Sequence, residues 1–220
     1  PQRIVVVLGP DMEEVAAAVH PCETAVQAEA RGTADAVAAA RAVLGGFEGD
    51  VMVVFGDTPM LSARTIATLL AARRGAGDPA VAVAAMRPVD PGEYGRVVMG
   101  GDGGVERIVE WVDATGDERA IGLCNGGLMA FDGGRLWPLI DAVAPSPTKG
   151  ELYMTDTVSA ARERGWRVVA AEIPEADILG INSRAQLAGA EAAMQARLRA
   201  AAFECGVTMT DPATVFLSAD

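Results

Sequence analysis

The chain has 220 residues, half of them hydrophobic, which suffices for one α/β domain with a sizeable core and is short for two independent domains. A net charge of −12, from 30 acidic against 18 basic residues, argues against an exposed nucleic-acid-binding face; local arginines, backbone amides and a metal could still receive a small anion. The three cysteines, Cys22, Cys124 and Cys205, are too scattered for a metal cluster and read as reduced thiols of a cytoplasmic protein. With His20 the only histidine, histidine-cluster metal sites and Ser-His-Asp triads are set aside, and any metal must be a hard, oxygen-ligated one. No apolar run is long enough to span a membrane, and no signal peptide is visible.

In chain order, Arg3–Gly9, Val51–Gly56 and Ala80–Met86 read as continuous apolar strands. Helical stretches lie between them at Asp11–Val19, Thr33–Leu44 and Ser62–Arg74, with Thr33 and Ser62 as N-caps. This alternation predicts an α/β fold with a mainly parallel sheet covered on both faces. From Tyr94 the texture changes. Arg96–Met99 and Val105–Glu110 flank a glycine-rich turn and predict a hairpin, followed by a strand at Leu123–Phe131. Helices are expected at Leu136–Val143 and Thr155–Arg164, and a strand at Val168–Glu172. This second half reads as an α+β elaboration of the same sheet. Ser183 to Gln186 fits a capping box at the head of a long helix for which Gly206 is a natural stop.

The chemistry-bearing residues lie just past predicted strands. Asp57 follows Phe55-Gly56 at the end of a buried strand, where ligands of open α/β sheets bind. Its carboxylate can hold a divalent metal against a phosphate, or it can cap the next helix. Gln27, Gly32 and Thr33 precede a helix whose first amides can meet a ligand, or they form a plain loop. Gly95 allows close approach or makes a turn; Glu110 accepts from sugar hydroxyls or stands solvated at a strand edge. Asn125 offers both a donor and an acceptor, or closes a turn. Asn182 is a neutral oxygen ligand or supports the helix cap that follows it.

Taken together, the segments Gln27–Val37, Phe55–Leu61, Tyr94–Val97, Val109–Thr115, Asn125–Met129, Gly150–Thr157 and Gly180–Leu187 resemble a known family in order and spacing. It is the uridyltransferase domain of the bacterial bifunctional N-acetylglucosamine-1-phosphate uridyltransferase/glucosamine-1-phosphate acetyltransferase. The resemblance implies a Rossmann-like nucleotide-diphospho-sugar transferase fold. It implies a Mg²⁺-dependent reaction of UTP with N-acetylglucosamine 1-phosphate, giving UDP-N-acetylglucosamine and pyrophosphate for cell-wall and lipopolysaccharide precursors. On this resemblance Asp57 and Asn182 hold the metal and act in catalysis. Gln27, Gly32 and Thr33 match positions on the uracil side, Phe55 and Gly56 precede the metal aspartate, Gly95, Glu110 and Asn125 hold the N-acetylglucosamine moiety, and Thr155 falls in the segment that lines the sugar pocket.

The departures lie at the ends and at two internal positions. The family's Gly-rich phosphate loop and Pro-Lys motif have no match, and Pro1 stands where the second strand should begin. The expectation is a nucleotidyltransferase domain over 1–182 with its first strand missing. That loss should leave two strands without a partner. Residues 183–220 are expected to form a linker helix and the start of an absent β-helix domain, through which the family oligomerises. A fragment of this kind is expected to show little or no activity. Asp35 stands where the family usually has histidine, and Val112 where it often has lysine.

Overall fold

A computed structural model describes residues 1–146 and 148–219. Asp220, the last residue of the expected linker segment, lies outside the described residues. The strands are β1 (Val5–Leu8), β2 (Glu23–Val26), β3 (Asp50–Val53), β4 (Val81–Met86), β5 (Arg96–Met99), β6 (Val105–Val109), β7 (Cys124–Asp132) and β8 (Val168–Glu172). The helices are α1 (Glu13–Ala18), α2 (Thr33–Ala39), α3 (Arg41–Leu44), α4 (Ala63–Arg73), α5 (Gly116–Arg119), α6 (Gly133–Ile140), α7 (Asp156–Glu163) and α8 (Arg184–Glu204).

The fold is α/β, but its main sheet is mixed where sequence reading expects a mainly parallel one. Strand β7 runs antiparallel to β3, β4 and β5, and the hairpin β5–β6 is antiparallel; β4–β8 and β1–β2 are the parallel pairs. The cause is the hairpin excursion, which returns the chain through the centre of the sheet in the reverse direction. Strand β7 takes β4 along one edge, while β3 and β5 share the other, β3 opposite Met129–Asp132 and β5 opposite Cys124. A fork therefore opens beside Asn125 to Leu128, between the end of β3 and the start of β5.

Strands β1 and β2 form a separate two-stranded sheet. Among the described residues β1 pairs only with β2, and β3 only with β7, so each keeps one open edge. Half-exposed Ile4, Val54 and Phe55 extend these two strands.

The core lies on both faces of β4, as its unbroken apolar run predicts. Val81, Val83 and Ala85 join Phe131, Leu136, Leu139, Val158 and Val168 on one side. Ala82, Ala84 and Met86 join Leu69, Leu128, Ala130 and Ile173 on the other. Each fully buried Val or Leu contributes roughly 1.5–3 kcal/mol. At the end of the sheet away from the fork, Arg73 binds Asp50 at 2.6 Å, Asp78 at 3.1 Å and the Pro79 carbonyl at 2.7 Å. One guanidinium thus locks the last turn of α4 to the entry points of β3 and β4. No helix among the described residues is long and apolar enough to cross a membrane.

Several local expectations change. The N-cap of α2 is Gly32, not Thr33; the Thr33 hydroxyl instead accepts from the Met154 amide at 2.9 Å. At α8, Ser183 caps the Gln186 amide as expected, but the Gln186 side chain reaches back to the Asn182 amide at 2.7 Å, one residue beyond a true capping box. Ser62 caps α4 as predicted, and Gly206, at φ 85°, follows Cys205, the C-cap of α8.

Candidate active site

Asp57 leaves the end of β3 on an exposed loop that turns on the Phe55 carbonyl, which accepts from the Thr58 hydroxyl at 2.8 Å. The Asp57 carbonyl in turn accepts from the Ile181 amide at 2.9 Å, tying this loop to the segment that carries Asn182. A β-carbon placed at Gly180 would lie 3.3 Å from Asp57 Oδ2 and 3.8 Å from Asn182 Nδ2. Two side chains 125 positions apart thus converge on one bare glycine. The Gln186 contact to the Asn182 amide fixes the second loop where it meets the helix.

These are oxygen donors of the hard type that Mg²⁺ prefers. No group of three or more His, Cys, Asp or Glu gathers among the described residues, so the chain's own donor set is small. A set of this kind suits a cation that keeps several waters and is completed by phosphates.

The fork beside β7 collects the next group. Phe55 lies over Gly127, where a β-carbon would come within 2.7 Å of its ring. Gly56 next to it has open space where a side chain would stand. Across the fork, the Gly95 carbonyl accepts from the Asn125 amide at 2.8 Å, and Asn125 Oδ1 accepts from the Gly127 amide at 3.1 Å. A β-carbon at Gly95 would sit 3.3 Å from Glu110 Oε2. Glu110 Oε1 accepts from the buried Thr155 hydroxyl at 2.9 Å. Gly95, Glu110, Asn125 and Thr155 therefore form one contiguous polar wall. Burial pushes the Glu110 carboxyl above the usual glutamate range, nearby Asp156 and Asp113 add to this, and the Thr155 hydrogen bond partly offsets it. Burial likewise raises Asp156.

Gln27, Gly32 and Thr33 form a third group. Gly32, at φ 119°, passes so close to Leu152 that a β-carbon would meet its carbonyl at 2.5 Å. The close approach read from sequence is thus made to this backbone. The Ala34 amide donates to the Leu152 carbonyl and the Leu152 amide to the Arg31 carbonyl. These bonds stitch the loop to the segment bearing Thr155, so the second and third groups are neighbours. Gln27 bonds within its own loop and not to Asp57. Its side-chain amide donates to Asp35 Oδ2 at 2.8 Å and to the Gly32 carbonyl at 3.1 Å. Both amide hydrogens are used, which leaves Gln27 Oε1 as an acceptor. Burial opposes ionisation of Asp35, but the hydrogen bonds from Gln27 and Arg31 outweigh it and hold the carboxyl below its ordinary range. Val112 is half exposed.

A family model, the MobA-like NTP transferase domain, matches residues 1–124. The chain belongs to the MobA-like NTP transferase family. The carboxylate loop follows the end of β3, and in open α/β sheets ligands sit in the crevice outside the strand ends. Among curated proteins, the chain is 52% identical over 220 residues to the bifunctional protein GlmU of Paramagnetospirillum magneticum, covering 100% of this chain and 49% of the relative. It is 50% identical to the GlmU of Rhodospirillum rubrum, with the same coverage. It is 48% identical over 221 residues to that of Gluconacetobacter diazotrophicus, covering 99% of this chain and 47% of the relative. The chain spans about half the length of the curated relatives it matches. As an NTP transferase domain, it carries the matched region through β6 and up to the first residue of β7, so Glu110 lies inside the match and Asn125, in β7, directly follows it.

Sequence reasoning missed Arg96. Its side chain is buried, stacks on Trp111 at 4.8 Å and, among the described residues, donates to the carbonyls of Pro91, Gly92, Tyr94 and Arg119. It thereby fixes the loop that ends at Gly95. The Glu93-Tyr94-Gly95-Arg96 motif is the signal that could have found it. Asp177 and Arg197 were missed as well, and no local spacing marks them.

Proposed function

We propose that this chain is the uridyltransferase part of a GlmU-type enzyme, joining UTP to N-acetylglucosamine 1-phosphate to give UDP-N-acetylglucosamine and pyrophosphate. The observation that carries this reading is the convergence of Asp57 and Asn182 on Gly180, beside a polar wall of Gly95, Glu110, Asn125 and Thr155. The sugar-phosphate oxygen attacks the α-phosphorus of UTP, forming the new P–O bond as the bond to pyrophosphate breaks. Such transfer needs positioning and charge neutralisation and no covalent nucleophile.

Asp57 and Asn182 hold Mg²⁺, which when bound neutralises charge on the phosphates. Glu110 accepts from a sugar hydroxyl while Thr155 fixes its second oxygen. Asn125, with its Oδ1 engaged by the Gly127 amide, offers its NH₂ group to the sugar's carbonyl or hydroxyl oxygens. On the base side, Gln27 presents a free acceptor oxygen because Asp35 holds its NH₂ group, which suits the N3–H of uracil and disfavours the N3 lone pair of cytosine. The enzyme is cytoplasmic and acts in cell-wall and lipopolysaccharide precursor synthesis, and it oligomerises through a further C-terminal domain.

Saturation-transfer NMR with UDP-N-acetylglucosamine, UDP-glucose and a cytidine analogue tests the assignment. Transfer to both the uracil ring and the N-acetyl methyl is expected, with weaker transfer to the other two nucleotides. Equal transfer to all three would remove the assignment of base and sugar.

A further inference from the structure

Asp57 and Asn182 stand on separate loops, and α8 reaches both loops with one side chain. Arg197 Nη1 donates to the Met60 carbonyl at 2.8 Å, just beyond Asp57. Arg197 Nη2 donates to Asp177 Oδ1 at 2.8 Å, shortly before Asn182. Asp177 is only 7% exposed, and its other oxygen accepts from the Ser62 hydroxyl at 2.5 Å and the Thr65 hydroxyl at 2.6 Å. Those hydroxyls begin α4, directly after the Asp57 loop. Ile178 seats the same segment against β7, where a β-carbon at Gly126 would meet its Cδ1 at 2.6 Å. Burial disfavours the Asp177 charge, yet the Ser62, Thr65 and Arg197 hydrogen bonds keep the carboxyl below its usual range.

We propose that Arg197 and Asp177 are positioning residues: the guanidinium, clamped on both loops, sets the spacing of Asp57 and Asn182 and hence the affinity of that pair for a divalent cation. This rests on the reading of Asp57 and Asn182 as cation ligands. A planar fork of donors can hold two acceptors in fixed relation, whereas a lysine ammonium acts as a point charge on a flexible stem. General packing of α8 is not enough to explain the arrangement. Neighbouring Arg199, on the same helix, donates instead to the Val215 carbonyl at 3.0 Å, and among the described residues it makes no hydrogen bond to either loop.

The test is a Mn²⁺ titration of the isotope-labelled chain, read as broadening of the Gly56, Gly180 and Asn182 amides. Ile181 amide exchange is recorded alongside, since that amide bonds the Asp57 carbonyl. Arg197→Ala and Asp177→Asn should raise the Mn²⁺ midpoint about tenfold or more, the range seen when residues supporting a metal ligand are lost. Arg197→Lys should fall between, Arg199→Ala should match the parent, and Ile181 exchange should quicken only in the first two. Arg197→Lys keeps the charge and gives a readable variant if Arg197→Ala does not fold; a parental midpoint and exchange rate in it and in Asp177→Asn would overturn the proposal. If Mn²⁺ spares these amides in the parent, or broadens them equally in Asp57→Ala, the cation reading fails. The positioning role then stands or falls on Ile181 exchange alone, and unchanged exchange overturns it.

Discussion

The Asp57 carbonyl accepts the Ile181 amide at 2.9 Å, so the loop after β3 and the loop before α8 are joined by main chain before any ligand arrives. Asp57 itself and Asn182, the residue after Ile181, both have exposed side chains. They do little for folding and are free to serve a ligand. Asn182→Ala and Asp57→Ala are therefore expected to leave the melting temperature nearly unchanged, within the roughly 0.5 kcal/mol typical of surface substitutions. Both should weaken Mg²⁺ binding, and a large fall in melting temperature would show the pair to be structural.

Gly32 and Gly56 make opposite predictions for one chemical change. Gly32→Ala puts a β-carbon 2.5 Å from the Leu152 carbonyl at a φ of 119°, so the loop or the Leu152 segment must move. A loss of about 2–3 kcal/mol is expected from strain at such a position. Gly56→Ala meets open space and should melt like the parent. Its effect should appear only in nucleotide binding, because the added methyl occupies the mouth of the fork. Thermal melts of both variants check this.

Glu110 predicts a pH signature. Burial raises its folded-state pKa above the unfolded value. Between those two values the native state binds more protons than the unfolded chain, so stability falls as pH rises. Glu110→Gln removes that loss and keeps an acceptor for Thr155. Its melting temperature should exceed that of the parent at neutral pH, and the gap should close below the ordinary glutamate range. The same variant should bind the sugar nucleotide more weakly. Melting curves across pH, paired with a binding isotherm at neutral pH, separate the two effects.

Arg96 is 1% exposed and engages four carbonyls, with no carboxylate partner among the described residues. Arg96→Lys keeps the charge but loses the fork, leaving several of those carbonyls unpaired. Unpaired buried polar groups cost about 1–3 kcal/mol each, so a clear drop in melting temperature is expected. Because the Gly95 loop hangs from this side chain, sugar-nucleotide affinity should fall with it. Unchanged affinity in the folded fraction would show the loop to be held by other contacts.

What was legible in the sequence followed from local pattern. The unbroken run Val81–Met86 declared a strand buried on both faces, and the glycine-rich turn before Val105 declared a hairpin. Strand β2 was missed because Glu23-Thr-Ala-Val26 is short, mostly exposed and without a strong apolar signal. Helix α5 was missed although Thr115 and Glu118 form a complete capping box, a signal present in the sequence. The direction of β7 is set by long-range pairing that no window of sequence contains. At the site, the glycines and polar residues past strand ends were readable one by one. The clamp of Arg197 on Met60 and Asp177 was not, because its partners lie 137 and 20 positions away.

The most direct measurement is calorimetry of UDP-N-acetylglucosamine binding with and without Mg²⁺, on the parent chain and on Asp57→Ala. Binding should strengthen with Mg²⁺ in the parent and lose that dependence in Asp57→Ala. Metal-independent binding, equal in the two proteins, would contradict this and leave a sugar-nucleotide binder in which Asp57 plays no part.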